Sequence, residues 1–341
     1  MSADHPLILL FGLPRSGTTW IAKIFDSHPQ TLYRHEPDSG GVLNDIPLVA
    51  PVDKADMYRP LIQTFVQNLP FLKSTKVSAT LPIFRKNYYS PGSFFLYWIA
   101  VALAKAGAKA FGESPVPFLV GRSYISPLYV IWKSIESVGR LGVIVRSVSN
   151  RRAVLILRHP CATVASVLRG EAERQFGNTK PTSDDFGVFE ALLTTPQARS
   201  RGFSLETIKD MDPIERIAWR WILFNEKALE DIAGVEGCVH VRYEDICCDP
   251  RGKARELLDF AGLRWQPQTE GFINYSTSRN SDRYYSLFKD PQRAATSWRT
   301  HLSKDHQERV FRVLRQSRLA ELYPTDGDDC PFPPTGEVWK T

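Results

Sequence analysis

The stretch PLILLFGLPRSGTTWIAKIFDS, residues 6–27, decides the fold. Pro6 to Phe11 is a continuous apolar run bounded by turn residues, the pattern of a strand buried on both faces in a parallel sheet. Thr18 to Ser27 then places Trp20, Ile21, Ile24 and Phe25 on one helical face, and His28-Pro29 stops the helix. Between the two, Gly12 and Gly17 have the G-x-x-x-x-G spacing of a phosphate-binding loop. Strand, glycine loop and helix in this order form one unit of an α/β fold. Gly17 permits close backbone approach, and the free N–H groups at the start of the helix point at an anion. A phosphate or sulfate group is expected here.

The loop departs from the nucleoside-triphosphatase pattern at one position. Thr18 stands where those loops carry the lysine that reaches the β- and γ-phosphates. Arg15 supplies a permanent cation with a planar fork of donors instead. The plain alternative is a glycine-rich turn carrying a surface arginine.

Further strand and helix signals extend the unit. Leu32 to Arg34 reads as a short second strand ending in His35-Glu36-Pro37, and Leu128 to Trp132, Ala153 to Leu157 and Cys238 to Tyr243 read as buried strands. Helical spacing covers Ile214 to Ala233, Arg251 to Ala261 and Asp305 to Leu322. The fold class is α/β: a P-loop NTPase-like central parallel sheet with helices on both faces, in a single domain over residues 1–341. Residues 42–126 are irregular, with helical stretches that include Phe94 to Phe111, and are expected to be an insertion shaping a second binding site. Of its aromatics, Tyr88, Tyr89, Phe94, Phe95, Tyr97 and Trp98 suit a pocket wall, but most are assigned to core.

Composition narrows the class. A hydrophobic share of 43% and a charged share of 23% are those of a globular chain with a sizeable core. The net charge of +6 favours an anionic ligand. The basic residues form no run of five, so a nucleic-acid arm or polybasic anchor is not expected. Five cysteines, with no C-x-x-C pair and no histidine at zinc-ligand spacing, read as reduced thiols and give no metal site. No secretory signal is recognisable, and the longest apolar stretch, Phe94 to Ala104, is short of the ~20 residues that span a bilayer. Cytoplasmic localisation is expected, with peripheral membrane contact left open.

A second cation closes a strand. Arg158 follows Ala153 to Leu157, and Ser166 lies eight residues further on. In open α/β sheets ligands bind beyond the carboxyl ends of the strands, where Gly12 and Arg158 both fall. A capping ion pair and a surface hydroxyl are the ordinary readings of these two residues taken alone.

Together these motifs resemble the sulfotransferase superfamily, whose members use 3′-phosphoadenosine 5′-phosphosulfate (PAPS). Pro14-Arg-Ser-Gly-Thr-Thr-Trp20 looks like the 5′-phosphosulfate loop, in the Arg-Ser-Gly form of the carbohydrate and tyrosylprotein enzymes. The resemblance implies that Arg15, Ser16, Gly17, Thr18 and Thr19 hold the 5′-phosphosulfate, and that Arg158 and Ser166 clasp the 3′-phosphate. Arg242-Tyr243-Glu244-Asp245 resembles a segment whose tyrosine lies near the nucleotide, although a core tyrosine explains Tyr243 as well. Trp298-Arg299 resembles the late loop that covers the nucleotide.

Sulfuryl transfer needs an acceptor oxygen stripped of its proton and stabilisation of the charge on the leaving phosphate. Glu36 is the candidate base, kept ionised by a nearby Arg15, although a solvated carboxylate in the turn before Pro37 explains the residue taken alone; similarity to the carbohydrate and tyrosylprotein enzymes implies the role of base. Alternation along a strand is expected to let only one of His35 and Glu36 face the co-substrate. Lys133 resembles a lysine that stabilises the transition state in tyrosylprotein enzymes, though a snorkelling surface lysine is an equal account. The implied reaction carries a sulfuryl group from PAPS to a hydroxyl of a carbohydrate, lipid or other small molecule, without metal, leaving 3′,5′-diphosphoadenosine. The alternatives are a P-loop small-molecule kinase using ATP and magnesium, or a nucleotide-binding module without catalysis.

Overall fold

The computed structural model describes residues 5–111, 128–176, 180–279, 281 and 286–323. Its frame is a five-stranded, all-parallel sheet of Leu7–Phe11 (β1), Thr31–His35 (β2), Tyr129–Ser134 (β3), Arg151–Leu157 (β4) and Cys238–Arg242 (β5), in the order β2-β3-β1-β4-β5. β1 lies centrally, with Leu9 opposite Trp132 on one side and Ala153 on the other. That position explains a strand with no polar residue, since both of its faces are covered.

The period-two alternation of β1 divides the core. Leu7, Leu9 and Phe11 pack on one face with Trp221 and Leu223 of the helix Pro213–Ile232. Ile8 and Leu10 pack on the other with Trp20, Ile21, Ile24 and Phe25 of the helix Thr18–Asp26 (α1), the four residues its sequence assigned to one face. Helices therefore cover both sides of the sheet, as expected.

The strand order reverses at β1. From it the chain runs to β2 and β3 on one side, then crosses to β4 and β5 on the other. The loops after β1 and β4 consequently diverge around a crevice at their carboxyl ends, where open α/β sheets bind ligands.

The elements match the expected ones with differences at their ends. β3 continues through Ser134, so Lys133 lies within the strand and is 1% exposed, which rules out a snorkelling surface lysine. The helix expected over 305–322 divides into Lys304–Leu314 and a 3₁₀ turn, Arg318–Glu321. Ser317 separates them: its hydroxyl donates to Glu226 Oε1 (2.7 Å) and accepts from Leu319 N–H, starting a new turn.

Within 42–126 the longer helices are Ala55–Asn68 and Pro91–Phe111; residues 112–126 lie outside the described residues. Tyr89 and Tyr97 are buried and Tyr88 and Phe94 half-buried, whereas Phe95 and Trp98 are 61% and 51% exposed, so the aromatics are only partly core. No helix among the described residues is long and apolar enough to cross a membrane. Cys161, Cys238, Cys247 and Cys248 are free thiols, and Cys330 lies outside the described residues.

Candidate active site at the sheet edge

The loop between β1 and α1 is tightly enclosed. A Cβ on Gly12 would sit 2.5 Å from the Ile156 carbonyl oxygen, and one on Gly17, whose φ is +81°, would sit 2.3 Å from the Tyr243 ring. Glycine is required at 17 by both conformation and space. Ser16 closes the turn: its hydroxyl donates to the Leu13 carbonyl, as does its N–H at 3.2 Å. The hydroxyl is thus spent within the loop, and Ser16 does not line the cavity beside it. The amides of Gly17, Thr18 and Thr19 precede the first intrahelical bond, from Trp20 N–H to the Gly17 carbonyl (3.1 Å).

Arg158, just beyond β4, latches this loop. Its guanidinium donates to the main-chain carbonyls of Arg15 (2.7 Å) and Ala294 (2.9 Å) and lies 4.8 Å above the Tyr243 ring. Its Nε is buried with no hydrogen-bond partner. The ordinary reading of a capping ion pair fails, since carbonyls and a ring hold it among the described residues. Arg15 reaches in turn to Ser166, Nε to Oγ at 2.9 Å. The two segments expected to act as separate anchors therefore meet in one network. Tyr243, 7% exposed, forms its floor, with burial pushing its phenol well above the ordinary range.

A cavity of about 770 Å³ opens over these residues. Pro14, Arg15, Gly17, Thr18, Thr19, Arg158 and Tyr243 line it, as do Glu36 and Lys133 from the other half of the sheet. Arg169, Lys289 and Arg293 add cations to its wall. Burial lowers Lys289 to about 8, and the nearby charges of Arg158, Arg15 and Arg169 push the same way. Such crowding of like charge is costly unless an anion occupies the space. Lys289 and Arg293 were illegible in the sequence, because nothing in their own segment marks them and only the fold brings that segment to Arg158, just beyond β4, and to the helix Tyr243–Cys248. Trp298 takes a different place from the one its resemblance implied: it is buried and stacked on His159, with ring centroids 4.3 Å apart, and it does not line the cavity.

The opposite wall carries Glu36. Its N–H donates to the Lys133 carbonyl (2.8 Å), and its carboxylate accepts from Lys133 Nζ. Burial opposes ionisation of Glu36, but the Lys133 ammonium, with His35 and Lys76, outweighs it and holds the carboxyl below its ordinary value. Lys133, rather than Arg15, is thus the cation that keeps Glu36 charged. Burial lowers Lys133 itself, opposed by Glu36. His35 and Glu36 both line the cavity, contrary to the expectation from strand alternation. Glu36 lies just past β2 with φ +47°, and that turn brings its side chain back to the side of His35.

The residues present fit a bis-anionic nucleotide. The orphaned Nε of Arg158, the loop with no room for a Cβ at Gly17 and the cluster of cations all call for negative charge. Among the described residues no group of three or more His, Cys, Asp or Glu is placed to hold a metal ion.

A model of the "Sulfotransferase family" matches residues 6–267. The chain belongs to this family. Carbohydrate sulfotransferase 7 of Mus musculus is 28% identical over 95 residues, 27% of this chain and 20% of that protein. Carbohydrate sulfotransferase 3 of Mus musculus is 41% identical over 61 residues, 17% of this chain and 13% of that protein. This sulfotransferase-family chain thus aligns with a fifth or less of these curated relatives. Among solved structures, the sulfotransferase domain from the curacin biosynthetic pathway superposes over 93% of this chain and 98% of its own, at 14% identity and a TM-score of 0.45.

Proposed function

We propose that this chain transfers a sulfuryl group from PAPS to a hydroxyl of a carbohydrate, lipid or other small-molecule acceptor. The observation that carries the reading is the division of charge within one cavity. Arg15, Arg158, Arg169 and Lys289 gather near the ends of β1 and β4, and the Glu36–Lys133 pair stands at the ends of β2 and β3. The first set suits a co-substrate with phosphates at two positions, and the second suits a neutral acceptor that loses a proton. Arg15, Gly17, Thr18 and Thr19 would hold the 5′-phosphosulfate with Ser16 shaping their turn, while Arg158 with Ser166 would hold the 3′-phosphate above Tyr243.

Bound there, PAPS supplies a sulfuryl group whose bond to the 5′-phosphate oxygen breaks as the acceptor oxygen bonds to sulfur. Glu36 takes the proton of the acceptor hydroxyl. Lys133 keeps that carboxylate ionised beforehand and offers positive charge beside the transferring group. The free loop amides and Arg15 face the charge that grows on the departing phosphate. Thr80 and Leu81 reach the cavity from the 42–126 segment, which supports that segment as the shaper of the acceptor side.

Two measurements test the reading. 3′,5′-Diphosphoadenosine should raise the melting temperature, whereas ATP with magnesium should not. Labelled PAPS offered with a panel of sugars, phenols and lipid alcohols should label a hydroxyl compound. Stabilisation by ATP alone would favour a kinase, and nucleotide binding without labelling of any acceptor would favour a binding module.

A further inference from the structure

Tyr33 and His35 are two residues apart on β2 and share one face of the sheet. The Tyr33 hydroxyl lies 2.7 Å from His35 Nδ1, and the rings pack edge to face at 5.9 Å. His35 Nε2 lies 3.6 Å from Glu36 Oε1, the same oxygen that accepts from Lys133. The cavity meets His35 and Glu36.

We infer that Tyr33 and His35 position the Glu36 carboxylate: Tyr33 donates to Nδ1, which fixes the imidazole proton on Nε2 and turns that N–H toward Oε1. The inference rests on the reading of Glu36 as the base. The direction of the hydrogen bond follows from charge. An unprotonated Nε2 would set its lone pair against an anionic oxygen, whereas Nε2–H presents a positive end to it. Tyr33 keeps its proton to give, because burial, with Asp26 and Glu36, pushes the phenol well above its ordinary range.

A second proton on His35 is resisted from several sides. Burial lowers its pKa to about 3, and Lys133 on β3, Lys23 on α1 and Lys76 add repulsion that Glu36 only partly offsets. The imidazole is therefore a neutral dipole of fixed direction, not a competing base. With Lys133 and His35 both addressed to Oε1, Oε2 is the oxygen left for the acceptor hydroxyl. The Lys133 hydrogen bond holds Oε1, and the Nε2–H dipole 3.6 Å away adds an electrostatic bias to the carboxylate's orientation.

The test reads protons directly and needs no acceptor. Protein labelled with ¹⁵N-histidine and δ-¹³C-glutamate, bound to 3′,5′-diphosphoadenosine, is followed by long-range ¹H–¹⁵N correlation and carboxyl ¹³C titration. Signals are assigned by their loss in His35→Gln and Glu36→Gln. The expected result is a neutral Nε2–H tautomer at pH 7, a mixture of tautomers in Tyr33→Phe, and an upward shift of the Glu36 titration in His35→Leu that His35→Gln reverses. An Nδ1–H tautomer or an imidazolium in the unmodified protein would overturn the inference without any variant. So would a Glu36 titration indifferent to His35→Leu. Retention of turnover by Glu36→Gln would instead remove the base reading and leave the tautomer result standing.

Discussion

Arg15 and Ser166 stand 151 positions apart in the chain and are joined by a hydrogen bond of 2.9 Å from Nε to Oγ. The bond ties the glycine loop to the helix Pro160–Ala172, and Arg158 completes the triangle by donating to the Arg15 carbonyl. Loop and strand end are thus held together as one surface, the one proposed to bind the nucleotide's anionic groups.

Replacing Arg158 with Ala should remove the hydrogen bond that latches the loop, the one to the Ala294 carbonyl, and the charge proposed to face the nucleotide. A charge-assisted contact contributes about 1.5–3 kcal/mol, so affinity for 3′,5′-diphosphoadenosine should fall about 10- to 100-fold. Isothermal titration calorimetry reads this, and unchanged affinity would exclude Arg158 from the nucleotide site.

Gly17→Ala should abolish nucleotide binding even where the protein folds. The added methyl would meet the Tyr243 ring in a backbone conformation that L-residues rarely adopt, at φ +81°. The strain alone costs about 1–3 kcal/mol, and relief of the clash would move the loop or the ring. A melting temperature lowered by several degrees, with no nucleotide-induced rise, is the expected outcome.

Glu36→Gln should lower sulfuryl transfer about 10²- to 10⁴-fold, the usual contribution of a general base, with nucleotide affinity intact. Lys133→Ala should lower turnover too, and should raise the pH at which activity fails in acid, because it removes the charge that holds the Glu36 carboxyl down.

The pH dependence has two edges. Glu36 titrates below its ordinary value, so its carboxylate is present at neutral pH and is lost only as pH falls below the ordinary carboxylate range of about 4. By linkage, the stability it adds is complete above the unfolded value and disappears as pH falls through the folded one. Lys289, at about 8, sets the alkaline edge: it loses its charge as pH rises through that value, and nucleotide affinity should decline with it. Lys289→Met should flatten that alkaline decline. Turnover should survive EDTA, because the chain's own cations and amides address the leaving phosphate.

The sequence disclosed the frame because its signals are local. The apolar run of β1, the glycines of the loop and the amphipathic spacing of α1 are each dictated within a few residues. Arg15 and Glu36 were equally legible, lying at a loop and a strand end that define the sheet edge. The partner of Glu36 was not: Lys133 pairs with it through the register that sets His35 beside Lys133, and register between strands about a hundred residues apart leaves no mark in either segment. The joint orientation of His35 and Glu36 escaped for another reason, since alternation holds only while the backbone stays extended and Glu36 does not. Lys289 and Arg293 escaped because tertiary packing alone brings their segment to the cavity.

That late segment also bears on where the working unit stops. The family match closes at residue 267, yet Lys289, Arg293, Ala294, Ser297 and His301 form a wall of the cavity, and Ala294 receives a hydrogen bond from Arg158. A chain trimmed to the matched region would retain the five strands, the glycine loop and Glu36 in its sequence, but would lose that wall together with the buried core residues Val310, Leu314 and Tyr323. Such a trimmed chain is expected to remain recognisable by its motifs and to lose its grip on the nucleotide.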